Sequence, residues 1–282
     1  MTKKKADRYG LATTVFLLVF CFLILIPILY TVSASFKSNQ EIMAGGAHLL
    51  PQEFTWDNYS QAWKLAHFDR YTINSIFLSL CTVVLTILVT SMTAYVLQRS
   101  DFPGKKLIRA FLLSTMFVSA GTVTLYPILK IMVKLHLNNL PGLAIAETFQ
   151  MGAANLFLCM GYMKTISKEI DEAAMIDGCS FFQIYWKMIL PLSKPILATV
   201  GLMAFQHAWN DYLLPLVVTS GKSETYPLIV GLVSLKSAGG EAATQYNLMM
   251  AGTVFSILPI VLIYIIMNKQ FIAGLTSGSV KG

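Results

Sequence analysis

Residues 73–97 read INSIFLSLCTVVLTILVTSMTAYVL, with no charged side chain in the run. A helix rises 1.5 Å per residue, so about 20 apolar residues cross a hydrocarbon core about 30 Å thick. This run is long enough to be such a span. It is followed by Arg99-Ser100-Asp101-Phe102-Pro103-Gly104-Lys105-Lys106, where Pro103 and Gly104 mark a tight turn.

Working outward, five further stretches have the same character: 11–32, 110–129, 140–163, 195–219 and 248–267. The first follows Lys3, Lys4, Lys5 and Arg8, as a signal peptide would. Its apolar run exceeds the 7 to 15 residues of such a leader, so it reads as a retained helix. The fourth contains Glu147, and the fifth contains Gln206, His207, Asn210 and Asp211, which makes these two the least lipid-like. Pro259 in the sixth is tolerable in a membrane bundle. The expected fold is an all-α membrane protein with six transmembrane helices in a single domain over 1–282.

Composition agrees with lipid as the main solvent. The chain of 282 residues is 55% hydrophobic and 12% charged, with mean hydropathy +0.63. Soluble domains carry about 25% charged residues. The net charge of +7 comes from lysines gathered at the ends of apolar runs rather than along a basic stripe. It therefore reads as a topology signal and not as a nucleic-acid surface. With a cytoplasmic amino terminus, 14 of the 21 lysines and arginines fall inside and 7 outside, which predicts both termini in the cytoplasm. Cys21, Cys81 and Cys159 lie in apolar runs and Cys179 in an internal loop. No pair has metal-ligand spacing, and no disulfide framework is expected.

The internal loop 164–194 is the most informative polar segment. It includes Glu169-Ile-Asp-Glu-Ala-Ala-Met-Ile-Asp-Gly178 and then Cys179-Ser-Phe-Phe-Gln-Ile-Tyr-Trp-Lys-Met-Ile-Leu-Pro191. Ile170, Ala173 and Ala174 fall on one face of a short helix, with Glu169 and Glu172 available to a polar partner. Gly178 stands where a helix ends in a left-handed residue. Ser180 and Gln183 form a capping-box pattern that predicts a second short helix through Trp186, set apart from the next membrane helix by Pro191 and Pro195. The paired alanines suit docking into a groove on another protein.

Glu172-Ala173-Ala174, three residues, Gly178, nine residues and Met188-Ile189-Leu190-Pro191 resemble the EAA loop of permease subunits of ATP-binding-cassette importers. Met188 stands where the family usually has isoleucine. The similarity extends through Ser35-Phe36-Lys37, Leu50-Pro51, Asp57-Asn58-Tyr59, Ala94-Tyr95, Phe102-Pro103-Gly104-Lys105, Trp209-Asn210-Asp211-Tyr212 and the terminal segment 274–282. All of these resemble the carbohydrate-uptake branch, and within it the subunit similar to the maltose-system permease without the large external insertion.

The resemblance implies a bacterial cytoplasmic-membrane location, in contact with membrane lipid, and a heterodimer with a second permease subunit. It further implies two cytoplasmic ATP-binding subunits, which would hold ATP and magnesium, and an extracytoplasmic sugar-binding protein. Glu172, Ala173, Ala174, Gly178, Leu190 and Pro191 would define the element that couples to the ATPases, and no cofactor or metal would belong to this chain.

Gln206, Asn210 and Asp211 are candidates for the translocation path, because an ionisable group inside a membrane helix belongs on the bundle interior or in water. Packing against the partner permease is the competing reading of these positions. For Glu147 an interfacial position is expected, and for His207 a hydrogen-bonded packing role. Trp56, Trp63, Tyr71 and Tyr126 lie near expected membrane interfaces, where aromatic rings anchor helices. The external segment 220–247 could enter the binding protein, and the tail 271–282 could reach the ATPases.

Other functions fit less well. Gly221-Lys222-Ser223 ends like a phosphate loop, but its first glycine would be Leu216. His48, His67, His136 and His207 show no catalytic grouping, so an enzyme is not expected. An ion-driven transporter would leave the EAA loop unexplained. A related import subunit for a polyol or a glycerol phosphate stays open.

Overall fold

The structure, a computed structural model, describes residues 3–45, 48–65, 67–117, 121–235 and 244–277. Every regular element among these residues is helical. In chain order the helices are α1 (Lys3–Ala34), α2 (Asn39–Met43), α3 (Asp57–Leu65), α4 (Phe68–Arg99), α5 (Lys105–Ser114), α6 (Leu125–Lys134), α7 (Leu140–Gln150) and α8 (Gly152–Met163). They continue with α9 (Glu169–Ile176), α10 (Phe181–Ile184), α11 (Leu190–Leu192), α12 (Lys194–Asn210), α13 (Leu213–Thr219), α14 (Leu228–Ser234) and α15 (Tyr246–Ser277).

Three of these are long and apolar enough to cross a membrane singly: Thr13–Ala34 within α1, all of α4, and Tyr246–Asn268 within α15. Two more candidate spans are bent pairs, α7 with α8 at 58° and Phe181–Leu192 with α12 at 79°. The expected run 110–129 is interrupted. α5 stops at Ser114, and a 3₁₀ turn at Gly121–Thr124 precedes α6. Gly121 has φ +56°, and Pro127 occupies the first turn of α6, where its missing N–H costs nothing.

The expected run 195–219 also divides. Helix α12 begins one residue earlier, at Lys194, and ends at Asn210, with Asp211 in extended backbone. A continuous helix would press the Pro215 ring against the Asp211 carbonyl four residues earlier. Asp211 Oδ1 instead accepts the Leu213 N–H (3.3 Å) as the chain restarts in α13.

The chain divides into two compact units. The first comprises Met1–Phe68 and Leu232–Leu258. Here the side chain of Asn58 is buried and donates to the carbonyls of Ser35 and Lys37 (both 2.8 Å), while its Oδ1 accepts from Asn247 (2.7 Å). Asn39 holds Tyr246 N–H (2.9 Å) and the Thr244 carbonyl (3.0 Å) in the same way. Phe36, Trp56, Tyr59, Trp63, Phe68 and Phe255 pack against one another as tilted, stacked and edge-to-face rings.

The apolar side chains of Thr13–Ala34 behave differently, since none of the most apolar window of that helix is buried. Such an all-round apolar helix needs lipid or another chain as its solvent.

The second unit comprises Asp69–Gly231 and Pro259–Gly282. Ser75, Ser79, Thr82 and Thr86 are fully buried along one face of α4, and Ser91 is fully buried on the opposite side of the helix. Small side chains at helical spacing let neighbouring helices approach closely in a membrane. Ser75 Oγ accepts the Leu228 N–H (2.7 Å), and Ser91 shares a hydrogen bond with the Tyr185 hydroxyl (2.7 Å). One core gathers Ala94, Tyr95, Cys159, Met163, Ala174, Ile184, Tyr185, Ile189 and Val200. A second gathers Leu78, Met132, Leu143, Ala144, Leu214 and Val218.

Candidate functional site

The loop 164–194 folds into an elbow. Helix α9 ends at Ile176 with Asp177 as its C-cap, and Gly178 follows with φ +79°. The Cys179 N–H reaches the Ala174 carbonyl (2.9 Å) and the Gly178 N–H reaches Met175 (3.0 Å). These two bonds are a Schellman ending, which satisfies carbonyls that the helix terminus would otherwise leave open. Across the elbow the anticipated capping box forms. The Ser180 hydroxyl accepts the Gln183 N–H (3.3 Å), and Gln183 Oε1 accepts the Ser180 N–H (2.8 Å). Helix α10 then runs into a π-helical turn at Tyr185–Ile189 before α11, and Pro191 lies in the first turn of α11. The second helix thus extends past the expected end at Trp186.

The orientation of α9 corrects the sequence reading. Asp171 and Ala174 face inward and are buried, whereas Glu172 and Ala173 are exposed. Ile170, Ala173 and Ala174 do share one side of α9, but of the three only Ala174 is buried, because the helix is turned toward Asp171, which has a partner inside. Its Oδ2 lies 3.2 Å from Arg99 Nε, with both side chains nearly buried. The Tyr95 hydroxyl is within 3.4 Å of Asp171 Oδ1 and 3.3 Å of the Phe181 carbonyl. Arg99 also donates to the Ile166 carbonyl (2.8 Å). An acid in the first turn of a helix reads as a solvated group from sequence, so nothing local pointed to Asp171.

The outward side presents Glu172, Ala173, Met175, Ile176 and Gly178, with Ile176 87% exposed. Leu190 is half-buried and Pro191 exposed at the far end of the elbow. The six residues singled out in this loop therefore do not form one surface. Ala174 belongs to the core, and the others are spread along the two arms.

Farther along α12, Gln206, Asn210 and Asp211 come together around a polar cavity of about 390 Å³, together with Met151, Met203 and His207. Behind it Glu147 Oε2 is 2.7 Å from His207 Nε2. Glu147 is completely buried within the chain, and His207 has the polar partner expected of a packing histidine. An i-to-i+3 count could have put Gln206, His207 and Asn210 on one side of a helix. The approach of Glu147, sixty residues away in sequence, had no local signal. Among the described residues no group of histidine, cysteine and carboxylate side chains could hold a metal.

Residues 1–276 match the family described as the binding-protein-dependent transport system inner membrane component. The chain is 32% identical over 278 residues to the arabinooligosaccharides transport system permease protein AraQ of Bacillus subtilis, covering 97% of this chain and 96% of the relative. It is 34% identical over 262 residues to the trehalose transport system permease protein SugB of Mycobacterium tuberculosis, covering 92% and 93%. Among solved structures it superposes with TM-score 0.80 and 28% identity on a chain of a bacterial ABC transporter involved in the import of the acidic polysaccharide alginate, covering 96% of this chain and 99% of that one.

Proposed function

We propose, from the premise that this chain belongs to the family of binding-protein-dependent transport system inner membrane components, that it forms half of the membrane pathway of an ATP-driven sugar importer. The relatives are permease subunits, so the chain is a multi-pass inner-membrane transport subunit and not an enzyme. A sugar cargo is supported by relatives named for arabinooligosaccharides and trehalose. In this reading residues 1–282 act as one permease domain with six spans and both termini in the cytoplasm. The run 110–129, which contains the end of α5 and the start of α6, is taken as the sixth crossing, and the lysine and arginine bias sets the orientation.

The observation that carries the reading is the exposed end of α9. Its outward residues offer apolar and acidic surface, while its inner face is pinned to α4 through Asp171 and Arg99. Glu172, Ala173, Gly178, Leu190 and Pro191 then form or shape the contact with a cytoplasmic ATPase subunit, and Ala174 seats the helix. A push on α9 reaches α4 through the Arg99–Asp171 pair and reaches α12 through α10 and the bend at Ser193. That would tilt packed helices as rigid bodies between two arrangements. ATP and magnesium belong to the partner ATPases. A second permease and an extracytoplasmic sugar-binding protein complete the assembly. Gln206, Asn210 and Asp211 line the translocation path.

A mild-detergent pull-down of the tagged chain, followed by mass spectrometry and an ATPase assay, tests the assembly. A second permease and an ATPase are expected. A lone chain that transports in vesicles without ATP overturns the proposal. With Cys21 and Cys81 replaced by serine, Cys179 and an introduced Gly221→Cys should label from opposite sides, and labelling from one side refutes the topology.

A further inference from the structure

A second cavity, of about 520 Å³, lies along α12 against α4 and the last turns of α15 before Asn268. Its lining is apolar throughout, from Leu190 and Pro191 to Phe205 and Ile263, with the single exception of Lys194. Gly201 keeps the trough shallow-walled and the helices close, since a Cβ there would stand 3.2 Å from Ile87 Cδ1.

Lys194 is exposed and has no ion-pair partner among the described residues. It is also the first residue of α12, a helix of 17 residues, so the positive end of the helix dipole adds to its charge. From Lys194 to Phe205 the helix rises about 16 Å, half of a hydrocarbon core about 30 Å thick. The trough is therefore one leaflet long, with a cation at the headgroup end and only hydrocarbon beyond it.

We propose that this trough is a binding site for an anionic glycerophospholipid, one acyl chain lying between α12 and α15 and the phosphate resting on Lys194. An unpaired cation at the headgroup level of an apolar trough matches an amphiphile with a negative head. An all-apolar helix of another chain would leave the ammonium without a counter-charge. Because Leu190 and Pro191 line the same trough, the lipid touches the arm that joins the elbow to α12.

The test places p-benzoylphenylalanine at Met267, a lining residue, in the tagged chain purified with whatever subunits accompany it. The complex is reconstituted in equimolar phosphatidylglycerol and phosphatidylethanolamine, irradiated, and its adducts are weighed by mass spectrometry. One lysine at a membrane surface contributes about a fivefold preference for an anionic lipid. Phosphatidylglycerol adducts are expected in about that excess. Lys194→Gln should bring the two lipids to near equality, and Ala198→Phe, which fills the trough, should depress both. Equal adducts in the unaltered chain, an excess that survives Lys194→Gln, or an adduct to another polypeptide each overturns the proposal.

Discussion

Replacing Gly178 isolates the backbone of the elbow from its surroundings. The residue has φ +79°, and a Cβ built on it meets nothing within 4 Å. No clash can therefore account for a defect, and the cost comes only from the left-handed conformation. For alanine that cost is about 1–2 kcal/mol, a factor of about 5–30 in the population of the folded elbow. Asparagine tolerates this region better than alanine, and a β-branched residue tolerates it worst. The expected order of ATPase affinity for the permease is then Gly178, Gly178→Asn, Gly178→Ala and Gly178→Val, with the alanine variant weakened by at most about 5- to 30-fold. Binding of the ATPase subunit to detergent-purified permease measures this, with thermal melting of each variant to show that the rest of the chain is folded. Equal affinity for valine and glycine, or asparagine as poor as valine, would refute the backbone argument.

Three further outcomes follow from the same geometry. Asp171→Ala leaves Arg99 nearly buried and without its carboxylate, and should cost about 3 kcal/mol, the lower end for a broken buried pair because Arg99 keeps the Ile166 carbonyl. The double variant Asp171→Leu with Arg99→Met should recover most of that in a melting experiment, whereas simple addition of the two losses would exclude the coupling. Ser180→Ala removes one half of the capping box and should cost about 1 kcal/mol, read as faster hydrogen exchange at the Gln183 amide. Gly252→Ala sets a Cβ 2.3 Å from Leu232 Cδ1 and 2.9 Å from Phe68 Cζ, an overpacking worth about 1–3 kcal/mol that should lower the melting temperature of the purified chain.

Much of this was legible along the chain because its signals are local. Long charge-free runs mark helices that only lipid can solvate, Gly178 marks a left-handed ending, and Ser180 with Gln183 marks a helix start. Each depends on residues within one helical turn or on the length of one run. The spacing from Glu172 to Pro191 carried the resemblance to the importer permeases for the same reason, and the family match over residues 1–276 agrees with it.

Only tertiary structure decided which way α9 faces, since the inward turn of Asp171 depends on Arg99, seventy-two residues earlier on another helix. It likewise decided that Glu147 is buried against His207, and that the runs 110–129 and 195–219 are broken rather than straight. Hydropathy records how much apolar surface a run carries and is blind to direction. The rotation of a helix about its axis, and the partner of a buried charge, are set by side chains that the chain brings together from far apart.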